Sequence, residues 1–332
     1  MRVRLAYGRD GLTVDLPATT DVIQPCFVPG LPDEARAIRE ALRNPVGSPP
    51  LKDLVGPGDR VVVVHTDITR ATPNDRLLPV LLSELEAAGI AHHDITLLNG
   101  LGTHRRQTEA ELRAMLGDEI VERYRCLQHD CYDDANLVAL GETSNGHPVR
   151  LNRAYCEADV KILTGFIEPH FFAGFSGGPK AILPSLAGAE SVFTNHGLTM
   201  IGHPRATWGV REGNPIWEEM CEVALKTNPT FLINVTLNAS REITGVFAGD
   251  MLEAHALGCA FVRENAMVGV DAPYDIVITT NSGYPLDQNL YQSVKGMSAA
   301  AQIVREGGAI IIAAACEDGL PDHGLYARLL AD

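Results

Sequence analysis

Lys180 follows Gly177, Gly178 and Pro179, with His170 upstream and His196 downstream. The apolar run Val160–Leu163 comes first, so the segment from Thr164 to His196 reads as a buried strand that empties into a glycine-rich bend. Pro179 then opens a short helix. That puts Lys180 in a first helical turn, where exposed N–H groups already carry positive partial charge and disfavour a further cation. A lysine so placed is a phosphate clamp or an activated amine. A P-loop does not fit, because Pro179 and Ala181 stand where that motif needs Gly and Ser or Thr. The glycine pair costs backbone entropy, so something must need the close approach it allows.

Three more polar clusters sit just past predicted strands: Asp67, Thr69 and Arg70; Thr103, His104 and Arg105; and Tyr291, Gln292 and Lys295. Ligands of open parallel sheets bind beyond the C-terminal strand ends. The pattern therefore predicts one crevice holding histidines, a lysine, arginine and an aspartate. Each residue also has a plainer reading: Asp67 caps a turn, and His104 is a satisfied loop histidine. Gly100 and Gly102 make a weak dinucleotide signal, since Arg105 stands where a third glycine is needed. His92, His93 and His203 read as surface residues. Cys126, His129 and Cys131 have zinc-like spacing but lack a fourth ligand nearby.

The elements that must hold these residues alternate. Arg60–His65 is a β-branched run, hence a strand buried on both faces. A helix from about Asp75 to Ala88 carries Leu77, Leu78, Leu81, Leu82 and Leu85 on one face, and Ile95–Leu98 is the next strand. Glu109–Leu116 is a helix capped by Thr108. Residues 126–153 break the rhythm with a hairpin near Asn145-Gly146, an insertion or an edge. Further strands fall at Thr230–Leu237, Tyr274–Thr279 and Gly308–Ala314, with helices around Trp217–Leu225, Met251–Asn265 and Leu290–Glu306. The fold class is α/β: a Rossmann-like, mostly parallel, doubly wound sheet with a second α/β domain and an active site in the cleft between them. The expected division is 1–265 and 266–332. The second part looks incomplete, because the sequence stops at Asp332 inside an apparent helix.

With 332 residues, two domains are the prior. A net charge of −15 argues against nucleic acid and against an anionic membrane surface, though a site can be locally basic. No apolar run is long enough to span a membrane, and the start lacks a signal-peptide core. The 7 scattered cysteines, with no CxxC pair, fit a reducing cytoplasm.

Four separated motifs, DITR at 67–70, GTHR at 102–105, PHFFAGFSGGPKAILP at 169–184 with His196, and YQSVKG at 291–296, resemble the nickel-pincer lactate racemase family. The resemblance implies a cofactor, pyridinium-3,5-bisthiocarboxylic acid mononucleotide, whose two sulfur arms grip nickel. It implies that Lys180 is its covalent thioamide tether and His196 the remaining nickel ligand. Asp67, Ile68, Thr69 and Arg70 would hold the mononucleotide, His104 and His170 would be catalytic, and Gln292 and Lys295 would bind substrate. Enzymes that make the cofactor would be transient partners. Soft sulfur plus imidazole in a planar arrangement suits Ni(II).

The implied reaction is racemisation or epimerisation of a 2-hydroxy acid. A Cα–H is scarcely acidic, and a histidine with an ordinary pKa of about 6.5 abstracts it poorly. Hydride transfer to the cofactor avoids the carbanion: one histidine takes the hydroxyl proton, a planar 2-keto acid turns, and the second histidine serves the other hand. Lys295 fixes the carboxylate, with Arg105 as a second candidate. Three alternatives stand beside this reading: an epimerase of longer hydroxy acids or sugar acids, a protein that carries the nickel cofactor without turnover, and a metal-dependent hydrolase. The hydrolase is disfavoured by the lack of HxH or HExxH.

Overall fold

The computed structural model describes residues 1–319 and Arg328. The helix expected near Asp332 lies outside these. The chain packs as two units.

The larger unit, Phe27–Ile68 with Thr72–Ala266, is built on a six-stranded sheet. Its strand order is Ile243–Gly249, Phe231–Leu237, Val160–Phe166, Val61–Thr66, Ile95–Gly100, Arg125–Gln128. All neighbours are parallel except the Ile243–Gly249 edge. Val61 to Val64 are fully buried, as both faces of an interior parallel strand are covered. Helix Asn74–Ala87 buries the expected leucines, and Thr108 caps Glu109–Leu116 through a reciprocal bond pair with Glu111. Because the strands run parallel, with Thr66 opposite Gly100 and Val64 opposite Leu163, the segments after Thr66, Gly100 and Phe166 leave the sheet along one edge.

Three local expectations are revised. Pro179 opens no α-helix: Gly178–Ala181 is a single 3-10 turn, too short for a helix dipole to act on Lys180. Residues 126–153 divide into the parallel edge strand Arg125–Gln128 and a separate antiparallel hairpin, Leu137–Glu142 with Pro148–Asn152. Strand Ile243–Gly249 was not expected; it turns back after Leu237 and pairs antiparallel.

The smaller unit holds Met1–Cys26, Thr69–Ala71 and the described residues from Met267 onward. Strands Tyr274–Thr280 and Val304–Ala313 pair in parallel around helix Leu290–Ala301. The first 26 residues group here rather than with the larger unit. Asp287 explains why: its carboxylate accepts from Gly8 N at 2.8 Å and Ala315 N at 3.0 Å, so the N-terminal hairpin is stitched to the strand end.

All seven cysteines are free, and Cys26 alone of them is exposed. Burial pushes Cys131 and Cys156 up to about 11 and Cys221 and Cys259 to about 12. Among the described residues, no helix is long and apolar enough to cross a membrane.

Candidate active site

Strand Val160–Phe166 delivers the chain into a two-residue β-ladder in which Pro169–His170 pairs with Gly174–Phe175. The tight bend between them packs Phe172 at the centre. The His170 and His196 rings each meet Phe172 in a T-shaped contact, at 4.6 Å and 4.8 Å between centroids. Lys180 Nζ lies 5.6 Å from the same ring. Two histidines and the lysine thus converge on one buried aromatic.

The bend carrying Lys180 is clamped from below. Gly177 and Gly178 have φ of +76° and +57°, which a residue with a Cβ adopts at a cost. Asn234 Oδ1 accepts from Gly178 N at 2.8 Å. His255 Nε2 donates to Ser176 O at 2.8 Å while its ring stacks on Trp217 at 5.1 Å. A Cβ on Gly178 would lie 2.7 Å from the His255 ring, and one on Gly177 2.5 Å from Asn234 Oδ1. Burial lowers His255 to about 4, so it is a neutral donor here.

His104 enters from the end of strand Ile95–Gly100, which Val61–Thr66 separates from Val160–Phe166. Its Nδ1 is hydrogen-bonded to the carboxylate of buried Asp67, which sets the proton on Nδ1 and leaves Nε2 as the lone pair. The His104 loop is tied to the lysine bend through one residue: Ser185 O accepts from Gly102 N at 2.9 Å, and Ser185 Oγ donates to Lys180 O at 2.8 Å.

His170 is held oppositely. Its Nδ1 accepts from Ala173 N at 3.2 Å and more weakly from Phe172 N at 3.5 Å. His196 Nδ1 bonds Asn195 Oδ1 at 2.9 Å. Among the described residues, His196 Nε2 has no hydrogen-bond partner. Burial first, then the Lys180 charge, holds its pKa well below the ordinary value, so it is a neutral imidazole with a donor lone pair. That suits a borderline metal such as Ni(II). No three His, Cys, Asp or Glu side chains group as a metal site among the described residues, so a metal here would have to bring ligands of its own.

Of the residues singled out from sequence, Asp67, Ile68, His104, His170, Lys180 and His196 lie in the larger unit. There, Ile68 N donates to Gln107 Oε1 at 3.2 Å. Thr69, Arg70, Gln292 and Lys295 lie in the smaller one. Arg70 Nη1 donates to Thr69 Oγ1 at 3.0 Å, and Gln292 is buried on helix Leu290–Ala301. Arg105 forms a two-bond pair with Glu111, whose carboxyl it lowers. The zinc-like trio dissolves: His129 donates to Ala187 O and accepts from Asn152, so both ring nitrogens are spent. His92, His93 and His203 are exposed.

Sequence reasoning missed Phe172, Ser185, Asn234 and His255. The last lay in plain view on the apolar stripe Met251, Ala254, His255, Gly258, Cys259, Val262, where a histidine passes for core.

A mostly parallel sheet with imidazoles and a buried lysine gathered past its strand ends places this chain among α/β proteins whose ligands bind beyond the carboxyl ends of the strands. Residues 7–209 match the lactate racemase N-terminal domain and 270–332 the lactate racemase C-terminal domain. A lactate racemase from Thermoanaerobacterium thermosaccharolyticum is 40% identical over 330 residues, 98% of this chain and 76% of that protein. One from Lactiplantibacillus plantarum is 40% identical over 297 residues, 89% and 69% of the two chains. The solved apoprotein of the Thermoanaerobacterium racemase superposes with a TM-score of 0.88, covering 98% of this chain and 77% of that one. A Thermotoga maritima protein, 23% identical with a TM-score of 0.64 over 79% of this chain and 67% of that one, shares the fold. The chain belongs to the lactate racemase family and is, by that membership, an isomerase.

Proposed function

We propose that the protein racemises a short 2-hydroxy acid, lactate being the first candidate, with a nickel-pincer nucleotide tethered to Lys180. The observation that carries this reading is the convergence of His170, His196 and Lys180 on Phe172, with the Asp67-backed His104 joined to the same bend through Ser185. Lys180 is buried and begins no helix that would hold it as a phosphate clamp, which favours the tether role. His196 would hold the metal through Nε2. When bound, the cofactor supplies a reversible acceptor for the Cα hydride.

The chain's own residues handle the rest. His104 receives the hydroxyl proton of one enantiomer on Nε2, and Asp67 keeps the ring turned so that this lone pair faces outward. His170 serves the other hand. Gln292 and Lys295 are assigned to the substrate by the family motif, and Asp67 through Arg70 to the mononucleotide. The buried aromatic wall of Phe172 excludes water from beside the amine. Enzymes that build the cofactor are the implied transient partners.

Co-expression with those enzymes and intact-mass measurement tests the class. An adduct present in the wild type and missing in Lys180→Ala is expected, together with interconversion of the lactate enantiomers and little deuterium entry at Cα in D2O. An unmodified lysine in an active enzyme would end the proposal. Turnover of sugar acids but not of lactate would move the substrate to a longer acid.

A further inference from the structure

The Leu137–Asn152 hairpin, an interruption in the sequence pattern, bonds through its tip to a buried carboxylate. Glu219, on helix Pro215–Lys226, is almost fully buried yet receives four donors. Its Oε1 accepts from Thr143 Oγ1 at 2.7 Å, Asn145 Nδ2 at 3.1 Å and His147 Nδ1 at 2.8 Å. Its Oε2 accepts from Asn195 Nδ2 at 2.7 Å. The tip itself is a tight turn, with Thr143 N donating to His147 O at 2.8 Å and Gly146 at φ +75°.

This contact, the shorter of two made by Asn195 Nδ2 (the other is to Ile216 O at 3.4 Å), fixes which way the Asn195 amide points. A flipped amide would set oxygen against the carboxylate oxygen at 2.7 Å, acceptor against acceptor. Unflipped, Asn195 turns Oδ1 to His196 Nδ1 at 2.9 Å, and that acceptor demands an N–H. The proton of the His196 ring is therefore on Nδ1, and Nε2 is left as a lone pair. Metal-bound histidines commonly have the far nitrogen fixed by a carboxylate. Here an amide stands between the two, so orientation is passed on without a full negative charge against the ring.

We propose that Glu219, gripped by the hairpin tip and acting through Asn195, is a positioning residue that selects the Nδ1–H tautomer of His196 and so prepares Nε2 to bind the metal. The metal part rests on the nickel reading above; the tautomer part does not.

The test uses apoprotein carrying 15N-labelled histidine and long-range 1H–15N correlation spectra. Wild-type His196 is expected to show a protonated Nδ1 and an unprotonated Nε2. Glu219→Gln keeps the shape but offers an NH2 toward Asn195, so the amide should turn over and the ring proton should move to Nε2. His255 and His129, whose bonds lie elsewhere, should keep their signals and serve as the control for an intact fold. Should Glu219→Gln not fold, Asn195→Ala cuts the relay and should give a mixture of tautomers. In cofactor-loaded protein, Glu219→Gln should lose nickel to a chelator about 10–100-fold faster while the Lys180 adduct still forms. A wild-type ring protonated at Nε2, or spectra unchanged by either variant, overturns the proposal. Expected tautomers with no nickel bound by the wild type would overturn the nickel reading and leave the relay standing.

Discussion

The two loops that bear His104 and His170 lie on the same edge of one sheet but hold their imidazoles by opposite means. The His104 loop sets Nδ1 against a buried carboxylate; the His170 bend sets Nδ1 against backbone N–H groups of Phe172 and Ala173. A carboxylate accepts, so His104 presents Nε2 as a lone pair. A backbone N–H donates, so neutral His170 carries its proton on Nε2. The pair is therefore not two copies of one base. The two rings hold opposite tautomers, with the proton on Nδ1 in His104 and on Nε2 in His170.

The strongest test of that difference is removal. His104→Ala and His170→Ala are each expected to lower kcat/KM by about 10²–10⁴-fold. Enantiomers have equal free energy in water, so kcat/KM must fall equally in both directions. The asymmetry should appear in kcat and KM measured separately for D and L substrate, with the two variants biased toward opposite hands. Identical biases would break the comparison.

Asp67→Asn sharpens it. The amide can donate to His104 Nδ1 and so favour the wrong tautomer, with an expected loss near the lower end of the same range, about 10²-fold. His170, whose partners are backbone, should keep its 15N signals in that variant. Gly178→Ala addresses the lysine bend between the two loops. A Cβ at φ +57° and 2.7 Å from His255 should cost about 1–3 kcal/mol in a denaturation curve and reduce the yield of Lys180 adduct.

A further effect is on acid stability. Burial holds His65 and His255 near pH 4, below an unfolded value of about 6.5. The unfolded chain then binds more protons between those values, so stability is fully present above about pH 6.5 and declines as pH falls toward 4, after which this contribution levels off. Each ring contributes on the order of 3 kcal/mol at most. His255→Gln, whose amide can still donate to Ser176 O, should flatten the slope in that window.

Much of this was legible because it follows from local rules. The β-branched run Val61–Val64, the leucine stripe of Asn74–Ala87 and the Thr108 cap all lie where pattern and capping chemistry put them. The strand-end rule likewise brought His104, His170 and Lys180 to one edge. What stayed hidden depends on partners far along the chain. Asn234 and His255 look like interior residues until the fold lays them under Gly178. Glu219 looks like one more acid on an amphipathic helix until the hairpin tip closes over it. The antiparallel edge Ile243–Gly249 is chosen by tertiary pairing, which no residue within it declares. The 3-10 turn at Lys180 was missed because proline and glycine mark where a helix begins and not how soon it stops.

The thiols give the protein a built-in counter. Cys26 is exposed, while burial keeps at least five others protonated and poorly reactive at neutral pH. In native protein treated briefly with an alkylating reagent, Cys26 should be labelled before Cys126, Cys131, Cys156, Cys221 and Cys259, whose increments should arrive only as the interior opens. The mass spectrum of an unaltered sample would thus record breathing of the larger unit without any engineered label.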